Sequence, residues 1–162
     1  MYAAPFEYHA PASIADAVAL LEQFGDDAKV VSGSQSLVPL MKLRLSQPKH
    51  LVDLRKVPGL TSIAESFGVL VVGGMTTHHA VSVSEMVRTR FPMMAEAAGN
   101  IGDAQVRNLG TIGGSLAHAD PSADWPAVLL ALDASVQIAG ARGERSVKID
   151  QFIVVEAAHQ GR

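Results

Sequence analysis

Two short runs of small residues offer backbone that could meet an anion: Ser32-Gly33-Ser34-Gln35-Ser36 and Gly110-Thr111-Ile112-Gly113-Gly114-Ser115. The first lies between an apolar run, Ala28 to Val31, and a helical segment opening at Leu37. A strand-to-helix junction aims backbone N–H groups and the positive helix end at one point, which suits a phosphate. Gly33 permits close approach, and Ser34, Gln35 and Ser36 add side-chain donors. A plain turn with capping serines accounts for the same residues. The second run reads either as another backbone cradle or as a tight turn needing positive φ. Duplication favours binding, because a dinucleotide diphosphate carries two negative phosphates and two converging loops satisfy it better than one. Neither run is a G-x-G-x-x-G or a G-x-x-x-x-G-K-[ST] motif, so the Rossmann and P-loop readings fail.

Other residue sets carry less. His78-His79, or His118-Ala119-Asp120 with Asp124, match no zinc spacing, and adjacent histidines do not turn easily to one ion. No metal site is expected. Asp103, Arg107 and Asp120 read better as an ion pair buttressing a loop than as acid–base machinery, and no nucleophile motif is present. Lys42, Arg44 and Lys49 read as a solvated basic face, with adenine-side or partner contacts as the other use. Met41, Met75, Met93 and Met94 read as core filler.

The elements that must position these runs follow from periodicity. Ser13 caps a helix carrying Ile14, Ala17, Val18 and Leu21 at helical spacing and ending at Gly25. Ala28–Val31 and His50–Leu54 read as strands around the helical segment Leu37 to Leu45. From about Leu60 the texture changes: strands near Thr61–Ala64 and Val69–Gly73 flank a Ser66-Phe67-Gly68 turn. A helix capped by Thr76 or Thr77 runs to about Val87, and another covers Pro92 to Asn100. Pro126 opens a helix through Leu132, and Val136–Ala139 and Ser146–Ile149 pair around a turn. This predicts an α+β protein with a small parallel α/β lobe over residues 1–55 and a larger mixed or antiparallel lobe over 56–162.

Composition bounds the function. With no cysteine, the chain has no disulfide, thiol nucleophile or cysteine-ligated iron–sulfur cluster. Any one-electron relay working with it must then sit on another chain or use a different cofactor. A net charge of −3 gives no electrostatic reason to expect nucleic acid or an anionic membrane. No signal-peptide pattern or membrane-spanning apolar run is present, so a cytoplasmic location is expected.

Together, Gly33, Gln35 to Met41, Lys42 to Leu45 and above all Ile101-Gly102-Asp103-Ala104-Gln105-Val106-Arg107-Asn108 through Asp124 carry a resemblance. They resemble the FAD-binding medium subunit of molybdenum hydroxylases, the family of aerobic carbon monoxide dehydrogenase and the xanthine dehydrogenase flavin module. The resemblance implies the two-lobed FAD-binding fold of vanillyl-alcohol-oxidase-like proteins. It also implies FAD as cofactor, its diphosphate held by Ser32, Gly33, Ser34, Gln35 and Ser36 and by Thr111, Ile112, Gly113, Gly114 and Ser115. Ile101, His118 and Asp124 fall at the family's remaining flavin-side positions. The implied role is electron transfer from iron–sulfur centres to an acceptor. The implied partners are a molybdenum-cofactor large subunit and a 2Fe-2S small subunit.

Two departures stand out. The family's first loop reads Ala-Gly-Gly-Gln-Ser, so Ser34 replaces a glycine, at roughly 1 kcal/mol if φ there is positive. Family subunits also continue well beyond this length, and the pattern fades after Phe152. A truncated remnant acting as a binding or scaffold module, or an ADP-like nucleotide binder, is the alternative expectation.

Overall fold

The computed structural model of the chain describes residues 2–153. Three short strands form a parallel sheet in the order β1 (Glu7–His9), β3 (His50–Asp53), β2 (Ala28–Val31). Helix α1 (Ile14–Phe24) makes the crossover before β2; its Ser13 cap accepts from the Asp16 N–H at 3.0 Å, and Gly25 ends it at φ 51°. Strand β1 is absent from the sequence reading. Glu7-Tyr8-His9 is too short and polar to show a strand period, and it is set by pairing along β3. Tyr8 secures it by donating its hydroxyl to Asp53 Oδ2 at 2.7 Å. Burial pushes the Asp53 carboxyl up, but hydrogen bonds from Arg55 and Tyr8 outweigh this and hold it below the usual carboxylate range.

Beyond Lys56 the chain is built from hairpins and helices. Strands β4 (Ile63–Ser66) and β5 (Val69–Val72) pair antiparallel. Phe67 (φ 50°) and Gly68 (φ 80°) form their turn, both in the left-handed region that a two-residue hairpin needs. The single helix expected from Thr76 or Thr77 to Val87 is two: α3 (His78–Val83) and α4 (Glu85–Arg90). Ser84 breaks it with extended backbone (ψ 119°), and its hydroxyl caps the second helix instead of continuing the first.

Four further helices follow: α5 (Pro92–Asn100), α6 (Ala104–Leu109), α7 (Ile112–His118) and α8 (Asp124–Ala131). Helix α6 has too little apolar periodicity to be read from sequence. Asp103 starts it by accepting from the Val106 N–H at 2.8 Å. Strands β6 (Ser135–Gly140) and β7 (Gly143–Lys148) pair as a hairpin, and residues 149–153 turn helical after it. Val81, Met94, Ile112, Leu116, Trp125 and Leu129 meet in the main core, so α7 is clamped between α3, α5 and α8. Met41, Met75 and Met94 are buried as expected, whereas Met93 is exposed.

Candidate functional site

The parallel sheet delivers Ser32 at the end of β2, and the helical core delivers Thr111 at the start of α7. Their hydroxyl oxygens lie 2.6 Å apart. Ser32 Oγ also lies 2.8 Å from Met75 Sδ, and Thr111 Oγ1 caps α7 by accepting from the Gly114 N–H at 3.1 Å. The two runs singled out by sequence are therefore in direct contact. Gly33 makes this possible. A Cβ there would stand 2.1 Å from the Leu109 carbonyl oxygen and 2.7 Å from Gly110 Cα.

The second run is not the open loop that its glycines suggested. Ile112, Gly113, Gly114 and Ser115 form the first turns of α7, and their N–H groups are engaged within the protein. Ile112 donates to Thr76 at 3.0 Å, Gly113 to Gly74 at 2.9 Å and Ser115 to Thr111 at 3.0 Å. His78 returns a bond to the Gly110 carbonyl at 3.0 Å, and Thr77 bridges Thr111. Gly113 is required by backbone packing, since a Cβ would lie 2.6 Å from the Gly74 oxygen. A third segment, Gly74 to His78, thus completes the site. Its signal in the sequence is the Gly73-Gly74 pair.

The first run keeps its donors. Among the described residues, no hydrogen bond engages the N–H groups of Ser34, Gln35 or Ser36, which precede helix α2 (Leu37–Lys42). Gln35 Nε2 donates to the Gly33 carbonyl at 3.1 Å, fixing the turn. Ser34 has φ 59°, the strained conformation inferred for the position where the family has glycine. Its Oγ is buried without a hydrogen-bond partner among the described residues. A buried hydroxyl and three unengaged N–H groups in one turn fit a bound anion, since such groups are otherwise left unsatisfied.

The remaining predicted residues are more dispersed. Ile101 is half-buried against the main core at the end of α5. Arg107 Nη1 holds the carbonyls of Ile101 and Gly102 at 3.1 and 2.9 Å. No ion pair joins Arg107 to Asp103 or Asp120 among the described residues; all three serve backbone or cap roles, which corrects the expected buttress. Asp120 Oδ1 accepts from the Ser122 N–H and hydroxyl, at 2.9 and 2.6 Å, which holds its carboxyl below the usual range. His118 ends α7 and Asp124 opens α8, both exposed.

His78 is buried beneath the site. Trp125 Nε1 donates to its Nδ1 at 3.1 Å, which requires that nitrogen unprotonated, and burial holds the imidazole below its ordinary pKa. Its ring fills the space beside Gly110, where a Cβ would come within 2.9 Å. It supports the Gly110 turn.

Comparison with known proteins agrees with this arrangement. The family model described as "FAD binding domain in molybdopterin dehydrogenase" matches residues 4–159. The match therefore runs past Phe152, where the sequence pattern had been read as fading. The carbon monoxide dehydrogenase medium chain of Hydrogenophaga pseudoflava is 48% identical over 149 residues, covering 92% of this chain and 52% of that one. The xanthine dehydrogenase FAD-binding subunit of Escherichia coli O157:H7 is 31% identical over 147 residues, covering 90% and 50%. Among solved structures, the H. pseudoflava carbon monoxide dehydrogenase lacking the Mo-pyranopterin moiety superposes with TM-score 0.91 at 48% identity, covering 93% and 52%. Quinoline 2-oxidoreductase from Pseudomonas putida 86 superposes with TM-score 0.88 at 40% identity, covering 92% and 52%. The chain spans about half the length of the curated relatives it matches. It belongs to the family of FAD-binding domains of molybdopterin dehydrogenases.

Proposed function

We propose that this chain binds FAD and serves as the flavin component of a molybdenum hydroxylase complex. The diphosphate is held by the N–H groups of Ser34, Gln35 and Ser36 and by the hydroxyls of Ser34 and Ser36. Thr111 and Ser115 face it from the start of α7, and Ile112, Gly113 and Gly114 shape that wall. Ile101, His118 and Asp124 take the flavin-side positions. The observation that carries this reading is the turn at Ser34, with strained backbone, a buried unpartnered hydroxyl and unengaged donors, locked against Thr111 through Ser32.

When bound, FAD supplies the redox chemistry by accepting electrons and passing them on, and the protein positions it and tunes its potential. No catalytic acid, base or nucleophile is required of the chain. None of these 162 residues is a cysteine, so none supplies a thiolate to an iron–sulfur cluster. The partners in this reading are a molybdenum-cofactor large subunit and a 2Fe-2S small subunit, in the reducing cytoplasm. No helix among the described residues is long and apolar enough to cross a membrane.

The test is anaerobic mixing of the FAD-loaded chain with a reduced 2Fe-2S protein, followed by visible absorbance. Bleaching of the flavin bands is expected. Flavin that binds yet stays oxidised would overturn the electron-transfer role while leaving FAD binding intact.

A further inference from the structure

A second cluster of chemically competent side chains lies on the parallel sheet, away from the residues assigned to FAD. Glu7 and His9 are two apart on β1 and so project to the same face. In the parallel register Glu7 stands opposite His50 of β3. One oxygen of Glu7 and one ring nitrogen from each histidine lie within 4.8 Å of one another. His9 Nε2 is 3.2 Å from His50 Nδ1, and His50 Nδ1 is 3.5 Å from Glu7 Oε2.

We propose that Glu7, His9 and His50 bind one divalent late first-row cation, with Zn2+ as its reference ion. Metal–nitrogen bonds of about 2.0–2.1 Å at a tetrahedral centre place two ligand nitrogens about 3.3 Å apart. The 3.2 Å between the histidine nitrogens meets that spacing without rearrangement of the strands. Two imidazoles and a carboxylate are a donor set suited to zinc and its neighbours, and three protein ligands leave one position for water. His9 also borders an open cleft of about 430 Å³, shared with Pro11, Asp16 and Gln23, and the Glu7 carboxylate is exposed to solvent.

The rings are held by a contact that leaves their nitrogens available. Phe24, the last residue of α1, lies flat on His50 with ring centroids 3.7 Å apart and planes 10° apart, and it stacks on His9 at 5.2 Å. A cation here ties β1, only three residues long, to the central strand, and so acts as a structural clip. The competing use of the same contact is a simple His9–His50 hydrogen bond, in which one nitrogen carries a proton where the ion would sit.

The test is calorimetric titration of the chelator-treated full chain with Zn2+, with Co2+ absorbance reporting the ligand geometry. One equivalent is expected to bind, with the intense visible bands of tetrahedral Co2+. His9→Gln or His50→Gln is expected to weaken binding by more than the ~10- to 100-fold that loss of an outer-shell partner causes. His79→Gln, at an exposed histidine elsewhere, is expected to leave it unchanged. Circular dichroism establishes that each variant is folded; if either ligand-histidine variant unfolds, Glu7→Gln, at an exposed strand position, decides, with a loss of at least ~10-fold expected. Absence of saturable binding, or binding undiminished in the folded variants, overturns the proposal and leaves the histidine pair as a hydrogen bond.

Discussion

The hydroxyls of Ser32 and Thr111, 79 residues apart in the chain, meet at 2.6 Å. This contact joins the end of a parallel strand to the first turn of a helix in the main core. It converts two unremarkable small-residue turns into one site. A double-mutant cycle on Ser32→Ala and Thr111→Val is expected to show coupling of roughly 0.5–1.5 kcal/mol in urea unfolding. Thr111→Val alone loses more than Ser32→Ala, because it also removes the cap on Gly114. Additive effects would mean that the two hydroxyls do not stabilise one another.

Gly33→Ala tests how tightly the two runs must approach. Its methyl group would enter backbone, not a flexible side chain, with the Leu109 oxygen only 2.1 Å away. A loss of about 1–3 kcal/mol or more is expected, with FAD affinity falling as the runs are forced apart. Thermal melting and flavin titration report the two effects separately. A fully stable Gly33→Ala protein would contradict the contact.

Ser34→Gly is expected to move stability in the opposite direction. Relief of the left-handed backbone is worth roughly 1 kcal/mol, reduced by the larger entropy that glycine loses on folding. A small rise in melting temperature is therefore expected, whereas Ser34→Val should lower it, because a branched side chain tolerates positive φ poorly. Equal melting temperatures for the glycine and valine variants would show that φ at this position is not strained.

Much of this arrangement was legible in the sequence, and the failures have physical causes. Ser13, Gly25 and the Phe67-Gly68 turn announced their elements, because caps and positive-φ turns depend on local chemistry. Strand β1 was missed because its conformation is set by β3, a partner more than forty positions away (Glu7 with His50). The Gly110 to Ser115 run was read as a loop because glycine usually marks one. Here Gly113 and Gly114 are helical, and Gly113 is small so that α7 can rest on Gly74. Sequence singled out the two runs that the fold brings into contact, but it did not show that Gly113 serves packing.

His78 predicts a pH dependence. Burial lowers its pKa below the ordinary 6.5, so the unfolded chain takes up a proton at a pH where the folded one does not. Its contribution to stability is thus fully present above pH 6.5 and is lost as pH falls from there toward the folded pKa. Urea midpoints measured across this range should decline on acidification. In His78→Gln, which keeps an acceptor for Trp125, the decline should be shallower. An identical decline in the variant would assign it to other groups.

The most direct test of the central claim is titration of the apoprotein with FAD, by flavin fluorescence and absorbance, with ADP as competitor. One-to-one saturable binding, a shifted flavin spectrum and displacement of FAD by ADP are predicted, because the Ser34 to Ser36 donors grip the diphosphate that both ligands share. A folded protein that binds no FAD, or one whose FAD is untouched by saturating ADP, would contradict the account.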